Sequence, residues 1–164
     1  MPPRSFFQMN TNRQKVLFLH GWFSTGAVKT LFMRSLGYNV LTPRLSNWFF
    51  GRAVKTAKQS YDQFGPVVVV GSSRGGAVAM NIDVEGTPLI LLAPAWRHFG
   101  RVDRLKPNCI VIHSPHDETI PFSDSVLLCE RSPEAVLVAE GQDHKLNCPE
   151  GRRALKWALN TLLG

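Results

Sequence analysis

Four consecutive valines and the glycine-rich segment after them constrain the fold of this chain more than any other feature. Residues 67–70 are all valine, and residues 71–75 read Gly-Ser-Ser-Arg-Gly. Small residues dominate the next positions, 76–80. The pattern predicts a buried strand, a sharp turn and a helix. The flanking glycines let the backbone turn so tightly that the side chain of Ser73 is exposed at the edge of a sheet.

The rest of the chain alternates between two kinds of apolar segment. Six segments have the composition of strands: 15–20, 38–42, 66–70, 88–93, 109–113 and 135–139. Five have the length of helices: 25–36, 50–62, 74–83, 121–131 and 149–163. This alternation predicts a parallel α/β sheet with right-handed crossovers. Asn147, three residues before Glu150, predicts a capping box at the start of the last helix.

Length and composition are those of one globular domain. The 164 residues suffice for a single core, and we predict an N-terminal arm at 1–14 and a folded domain at 15–164. Three widely spaced cysteines argue against a disulfide framework and a zinc site, and favour a reducing compartment. There is no secretory segment and no apolar run of about 20 residues. We therefore expect a cytoplasmic protein without a membrane span.

The formal net charge of +7 narrows the class of partner only slightly. Such a charge raises the encounter rate with anionic substrates and can cause weak adhesion to nucleic acid. The sequence contains no zinc finger, no aromatic RNA-binding run and no basic heptad pattern. We expect a small-molecule substrate, which could be anionic, and no dedicated nucleic-acid binding.

A serine hydroxyl attacks only with help from a base, and the base needs a carboxylate to orient it. In proteins with this kind of turn the three residues follow one another as Ser, then Asp or Glu, then His. Asp117 follows the strand segment 109–113, and His144 follows the segment 135–139. The carboxyl ends of parallel strands share one edge of a sheet. We therefore predict that Ser73, Asp117 and His144 converge as nucleophile, orienting acid and base.

Other residues compete for two of these roles. The alternative bases are His20, His98, His113 and His116. Chain order and the position after the last strand favour His144 over all of them. Asp124 and Asp143 are the alternative acids. Asp124 falls within the following predicted helix, and Asp143 is adjacent to the base, which favours Asp117.

From about residue 15 to its C-terminus the chain resembles the α/β-hydrolase superfamily. The motifs that carry the resemblance are His20-Gly21-Trp22, the serine motif at 71–75, Asp117 with Ile120-Pro121, and Gly141 followed by Asp143-His144. The resemblance implies a three-layer αβα sandwich whose six-stranded, mainly parallel sheet has the order 2-1-3-4-5-6. It also implies a minimal fold without a lid, because only residues 94–107 could overhang the site.

The same resemblance implies the chemistry of a serine hydrolase of the carboxylesterase type. The enzyme would cleave an ester or thioester through an acyl-enzyme on Ser73, with no metal or organic cofactor. Backbone N–H groups of Trp22 and Arg74 would form the oxyanion hole, and the side chains of Phe23 and Trp96 would contact the substrate. Amide hydrolysis and acyl transfer are the nearest alternatives, because the same residues support them. A non-catalytic binding or scaffold protein is the alternative from another class.

The side chain of Arg74 is unusual for its place in the sequence. A cation in the first turn of a helix opposes the helix dipole. We hypothesise that it grips an anionic part of the substrate. The alternatives are a salt bridge to a nearby carboxylate or simple exposure to solvent.

Overall fold

The computed structural model describes residues 13–22 and 26–164. Its elements in chain order are β1 (Lys15–Leu19), α1 (Ala27–Ser35), β2 (Asn39–Leu41), α2 (Phe50–Phe64), β3 (Val68–Ser72), α3 (Arg74–Asn81), β4 (Leu89–Leu92), β5 (Cys109–His113), α4 (Phe122–Glu130), β6 (Val136–Ala139) and α5 (Pro149–Leu163). Apart from residues 13 and 14, the predicted N-terminal arm lies outside the described residues. The division into arm and domain stays a prediction.

The six strands form one sheet in the order β2-β1-β3-β4-β5-β6, and every neighbouring pair is parallel. The predicted strand order is therefore confirmed. Valine, isoleucine and leucine fill the central strands because parallel strands are buried on both faces. In β4 and β5 every residue is buried. The carboxyl ends of β3, β5 and β6 consequently lie along one edge of the sheet.

Helices cover both faces of the sheet, which confirms the predicted three-layer arrangement. One apolar cluster packs α1 and α5 against the sheet through Met33, Leu155 and Leu159. The other packs α2, α3 and α4 against the opposite face through residues such as Ala57 and Leu128. With both faces buried, solvent reaches the sheet at the ends and edges of its strands, where a site can form.

Most predicted boundaries agree with the structure, but the predicted capping box is wrong. The bounds of β5 and α5 match the prediction, and the described ends of the other elements differ from it by no more than two residues. The N-cap of α5 is Cys148, and no side chain caps the helix. Asn147 lies one residue too early. Its Oδ1 instead accepts a hydrogen bond from Lys29 Nζ at 3.0 Å.

Gly75 allows α3 to start directly against the end of β1. A Cβ atom at this position would overlap the carbonyl oxygen of Leu19 and would lie 2.6 Å from the carbonyl oxygen of His20. Both neighbours are backbone atoms of the strand and its following turn, so neither can rotate away. The helix that follows Ser73 therefore packs on the sheet at a distance that only glycine permits.

We expect Gly75→Ala to lower the free energy of unfolding by about 3 kcal/mol or more, because the new methyl group forces backbone segments apart. Urea denaturation measures the change. Gly51→Ala is the matched control: Gly51 lies in α2 with no atom near its missing Cβ, and alanine there should stabilise the helix by about 0.5–1 kcal/mol. Equal stability of Gly75→Ala and the wild type would contradict the close packing.

Candidate active site

Ser73 occupies a strained turn between β3 and α3. Its backbone angles are φ 56° and ψ −120°, a region that non-glycine residues avoid. The N–H of Ser73 donates to the carbonyl of Leu92 at 2.8 Å, which ties the turn to the end of β4. A Cβ atom on Gly71 would lie 2.6 Å from the carbonyl oxygen of Gly75. Glycines at positions 71 and 75 thus let the backbone pack closely on both sides of the strained turn. The Ser73 side chain remains half-exposed.

The structure joins the three predicted residues in one chain of hydrogen bonds. His144 Nε2 lies 3.0 Å from Ser73 Oγ, and His144 Nδ1 lies 2.6 Å from Asp117 Oδ2. A carboxylate can only accept, so Nδ1 of His144 carries the proton and Nε2 accepts from the serine hydroxyl. The three residues come from loops after β3, β5 and β6. This arrangement can remove a proton from Ser73 and hold the resulting positive charge on the imidazole.

Asp117 is held in its ionised form although its side chain is fully buried. Burial alone would raise the pKa of this carboxyl group. The N–H of Ile120, the ring of His144 and the N–H of Thr119 oppose burial and leave the pKa below its usual value. The two backbone N–H groups donate to Oδ1 at 2.8 and 2.7 Å. The carboxylate is therefore charged and fixed in orientation.

His113 is a contact of Asp117 that the sequence prediction missed. The ring is fully buried at the end of β5, and its Nε2 lies 3.0 Å from Asp117 Oδ2 and 3.1 Å from the carbonyl of Ile120. Both partners accept, so Nε2 carries the proton, and Nδ1 accepts from the Ser125 hydroxyl at 2.7 Å. Burial lowers the pKa of His113. A neutral His113 thus supplies the fourth N–H donor around the Asp117 carboxylate.

The alternative bases and acids occupy other positions. His20 Nδ1 bonds to the carbonyl of Gly21, and His98 and His116 are exposed. Asp124 lies in α4 and accepts from Arg97 at 3.1 Å. Asp143 accepts from the N–H of Leu146 at 3.0 Å and so shapes the loop beside His144. Among the hydrogen bonds of residues 13–22 and 26–164, none joins any of these five residues to Ser73.

Two backbone segments approach Ser73 from different sides. The N–H of Arg74 is the first of α3, and helix geometry leaves it without a partner inside the helix. The turn after β1 comes from the other side: a Cβ atom on Gly21 would lie 3.3 Å from Ser73 Cβ. Trp22 follows Gly21 directly and lines the same pocket as Ser73. The backbone segments of Arg74 and Trp22 thus both lie beside the serine, and their role as an oxyanion hole stays a prediction.

The Arg74 side chain is neither exposed nor in a salt bridge with any described residue. Only 3% of Arg74 is exposed, and its Nε has no hydrogen-bond partner. The guanidinium carbon lies 5.4, 5.6 and 5.9 Å from the ring centres of Phe99, Phe50 and Trp22. Burial lowers the pKa of this group, and the electron-rich ring faces partly offset the loss of water. Both alternatives weighed for this side chain are therefore wrong.

A pocket of about 460 Å³ opens beside Ser73 and His144. Trp96, predicted to contact the substrate, is not among its described lining residues. Its indole is buried in the core, and its Nε1 donates to the carbonyl of Asp124 at 3.0 Å. Phe23, the other predicted substrate contact, lies outside the described residues. The wall of the pocket is formed instead by the start of α1 and by the loop that carries His144.

Two features are absent from residues 13–22 and 26–164. No cluster of three or more His, Cys, Asp or Glu side chains has the geometry of a metal site there. No helix in these ranges is both long and apolar enough to span a bilayer.

Comparison with known proteins identifies the fold. No protein-family model and no curated sequence matches the chain. Solved structures do match. The esterase domain of a Rhodothermus marinus protein superposes with a TM-score of 0.71 at 17% identity, over 95% of this chain and 90% of that one. An esterase from Exiguobacterium antarcticum superposes with a TM-score of 0.72 at 12% identity, over 92% of each chain. Mouse α/β hydrolase domain-containing protein 10 superposes with a TM-score of 0.73 at 16% identity, over 91% of this chain and 89% of that one. The chain therefore has the α/β-hydrolase fold, as its motifs predicted.

Proposed function

We propose that the protein is a serine hydrolase of the carboxylesterase type, which cleaves an ester or thioester through an acyl-enzyme on Ser73. One observation carries the proposal: the unbroken hydrogen-bonded chain from Ser73 Oγ through His144 to the buried carboxylate of Asp117. Two of the similar structures are named esterases. Their names describe those proteins, and here they only favour one reaction class among those that this site could support.

The proposed reaction begins when Ser73 Oγ attacks the carbonyl carbon of the substrate. His144 Nε2 takes the hydroxyl proton as the new C–O bond forms, and Asp117 stabilises the imidazolium. The carbonyl oxygen becomes an oxyanion, which the N–H groups of Arg74 and Trp22 would bind. One such donor typically lowers the barrier by about 3–4 kcal/mol.

Collapse of the tetrahedral intermediate breaks the bond to the leaving group. His144 returns its proton to the leaving oxygen or sulfur, and the acyl group stays on Ser73. A water molecule then attacks the acyl-enzyme, again with His144 as base, and releases the acid. Each step uses the same three side chains, because His144 alternates between its neutral and protonated forms.

Reaction with a fluorophosphonate probe tests the proposal directly. We expect the folded wild-type protein to gain one probe molecule on Ser73, seen as a single mass increment and located by peptide mass spectrometry. Ser73→Ala should gain none. Ser60→Ala is the control, because Ser60 lies in α2, away from the residues that line the pocket. A folded wild-type protein that does not react would favour the alternative of a non-catalytic binding protein.

Hydrolysis and transfer can be separated once labelling is established. An amidase or acyltransferase would also form an adduct at Ser73, since the nucleophile is the same. Comparing the release of acid from matched esters, thioesters and amides, with and without an added alcohol acceptor, distinguishes these reactions. The carboxylesterase assignment requires the esters or thioesters to be turned over fastest with water as acceptor.

A further inference from the structure

The pocket beside Ser73 is lined by cations and by no described acidic residue. Ser73 and His144 contribute to its wall, and so do Lys29 and Lys145. Its other described lining residues carry apolar, hydroxyl, amide or glycine groups. No carboxylate among the described lining residues neutralises either ammonium group, although Asp143, which does not line the pocket, interacts electrostatically with Lys29. Positive charge is concentrated where a substrate would bind.

Lys29 is fixed in place by neutral acceptors. Its Nζ donates to Asn147 Oδ1 at 3.0 Å and to the carbonyl oxygen of Lys145. An ammonium group has three N–H donors, so one remains for a ligand after these two bonds. Neither acceptor carries a charge that would cancel that of the lysine. The side chain is thus oriented but keeps its charge available.

Burial lowers the pKa of Lys29 from 10.5 to about 8. Asp143 and Cys148 oppose this shift, and Lys145 adds to it. At neutral pH the ammonium form still predominates. A half-buried ammonium interacts with an anion more strongly than a solvated one does, because less water screens the pair.

The start of α1 adds to this positive potential. Ala27, Val28 and Lys29 form its first turn and all line the pocket. This turn contains no acidic residue. Its N-cap is Gly26, where a Cβ atom would lie 2.5 Å from the ring of Phe18, so the first turn packs closely on β1. The positive end of the helix dipole thus points toward the pocket that Lys29 lines.

We propose that the substrate carries a carboxylate close to its reacting carbonyl, and that Lys29 binds this carboxylate in the pocket. This inference rests on the proposed function, since it takes Ser73 as the attacking group. The substrate class is then the half-ester or half-thioester of a short dicarboxylic acid. A single available N–H on Lys29 suits a monovalent carboxylate, and Lys29 and Ser73 line the same pocket. The side chain of Arg74 is buried against aromatic rings and does not line the pocket.

Lys29 could instead serve only to hold the loop that carries His144. Its two hydrogen bonds end on residues 145 and 147, one and three positions after the histidine. If the role of Lys29 were purely structural, replacing it would lower kcat/KM by the same factor for every ester. If Lys29 binds the substrate, the same replacement would lower kcat/KM more for the anionic ester than for the neutral one. The ratio of the two rates distinguishes these roles.

The kinetic test compares two esters of equal length, 4-nitrophenyl hydrogen glutarate and 4-nitrophenyl valerate. We expect Lys29→Met to lower the ratio of kcat/KM for the anionic ester to that for the neutral ester by about tenfold or more. Most of the change should be in KM for the glutarate. Lys29→Arg keeps the charge and should keep most of the preference. Lys55→Met is the control, because it removes the same charge from the exposed surface of α2.

The pH dependence of the same ratio gives an independent readout. Lys29 is charged below its pKa of about 8, so the wild-type preference for glutarate should be complete near neutral pH and should fall as the pH rises through 8. Any pH effect on the attack by Ser73 is common to both esters and cancels in the ratio. Asp143, Lys145 and Cys148 act on Lys29 but are unchanged in Lys29→Arg, whose preference should persist above that pH.

Binding to a catalytically disabled protein separates this inference from the proposed function. Calorimetry with Ser73→Ala should show that 4-nitrophenyl hydrogen glutarate binds about tenfold more weakly when Lys29→Met is added. Failure of the wild type to react with a fluorophosphonate would refute the proposed hydrolase. The calorimetric result would still test the carboxylate site, because binding is measured without any reaction at Ser73. Equal losses for both esters, or equal affinities with and without Lys29, would overturn the carboxylate site.

Discussion

Ser73→Ala should lower kcat for ester hydrolysis by about 10⁶-fold, His144→Ala should do nearly the same, and the double variant should be no worse than either. The reason is that each residue acts only through the other. Without Ser73 the imidazole has no hydroxyl to deprotonate, and without His144 the hydroxyl keeps its proton. The hydrogen bond of 3.0 Å between Ser73 Oγ and His144 Nε2 is the structural basis of this dependence.

Steady-state rates on a 4-nitrophenyl ester, with active sites counted by probe titration, give kcat for each variant. His116→Ala is the matched control: His116 is exposed and lies next to Asp117 in the sequence, but has no hydrogen bond to His144 or Ser73 among those described. We expect it to retain kcat within about threefold, as surface substitutions do. Losses that multiply in the Ser73 and His144 double variant would show that the two act independently, against the proposed mechanism.

Asp117→Asn should lower kcat by about 10⁴-fold while the protein stays folded. The amide has one oxygen and one NH2 group. The N–H groups of Thr119 and Ile120 donate to the Oδ1 position, so the amide oxygen must occupy it. The NH2 group then takes the Oδ2 position and faces His144 Nδ1, which has to accept, while His113 Nε2 keeps the carbonyl of Ile120 as its acceptor. The proton of His144 moves to Nε2, and the imidazole can no longer receive one from Ser73.

Asp143→Asn provides the control for this substitution. Asp143 is adjacent to His144, and its Oδ1 accepts from the N–H of Leu146, a role that an amide oxygen can also fill. We expect kcat within about threefold of the wild type for Asp143→Asn. Thermal melts establish that both variants fold, and the same ester gives both rates. A greater loss in Asp143→Asn than in Asp117→Asn would mean that the orienting acid has been misassigned.

Local patterns predicted the elements of this fold well. The run of four valines at 67–70 and the amphipathic pattern of the final helix predict their elements within two residues of the structure, because burial on a sheet imposes a local, readable pattern. The order of the strands did not come from such patterns. It came from the resemblance carried by the four motifs, and the structure confirms it.

Predictions that concerned side-chain partners were less successful. Trp96 follows β4 at the active edge, yet it turns into the core and binds the carbonyl of Asp124. Asn147 has the spacing of a capping residue but accepts from Lys29, which is 118 positions away. His113 was an alternative base, and the structure makes it a buried neighbour of Asp117. In each case the partner is on another segment, and sequence spacing does not encode such contacts.

The amino-acid sequence alone indicated the elements and the turn at Ser73, because each depends on neighbours a few positions away. The order Ser, Asp, His along the chain selected the three residues that we propose carry the chemistry. The tertiary structure decided what surrounds them. It packed three aromatic rings around Arg74 and placed His113 beside Asp117. It also brought Lys29 from α1 to the loop of His144. Such contacts depend on the folded path of the whole chain, since a side chain's electrostatic environment is set by whatever other segments bring within a few ångströms of it.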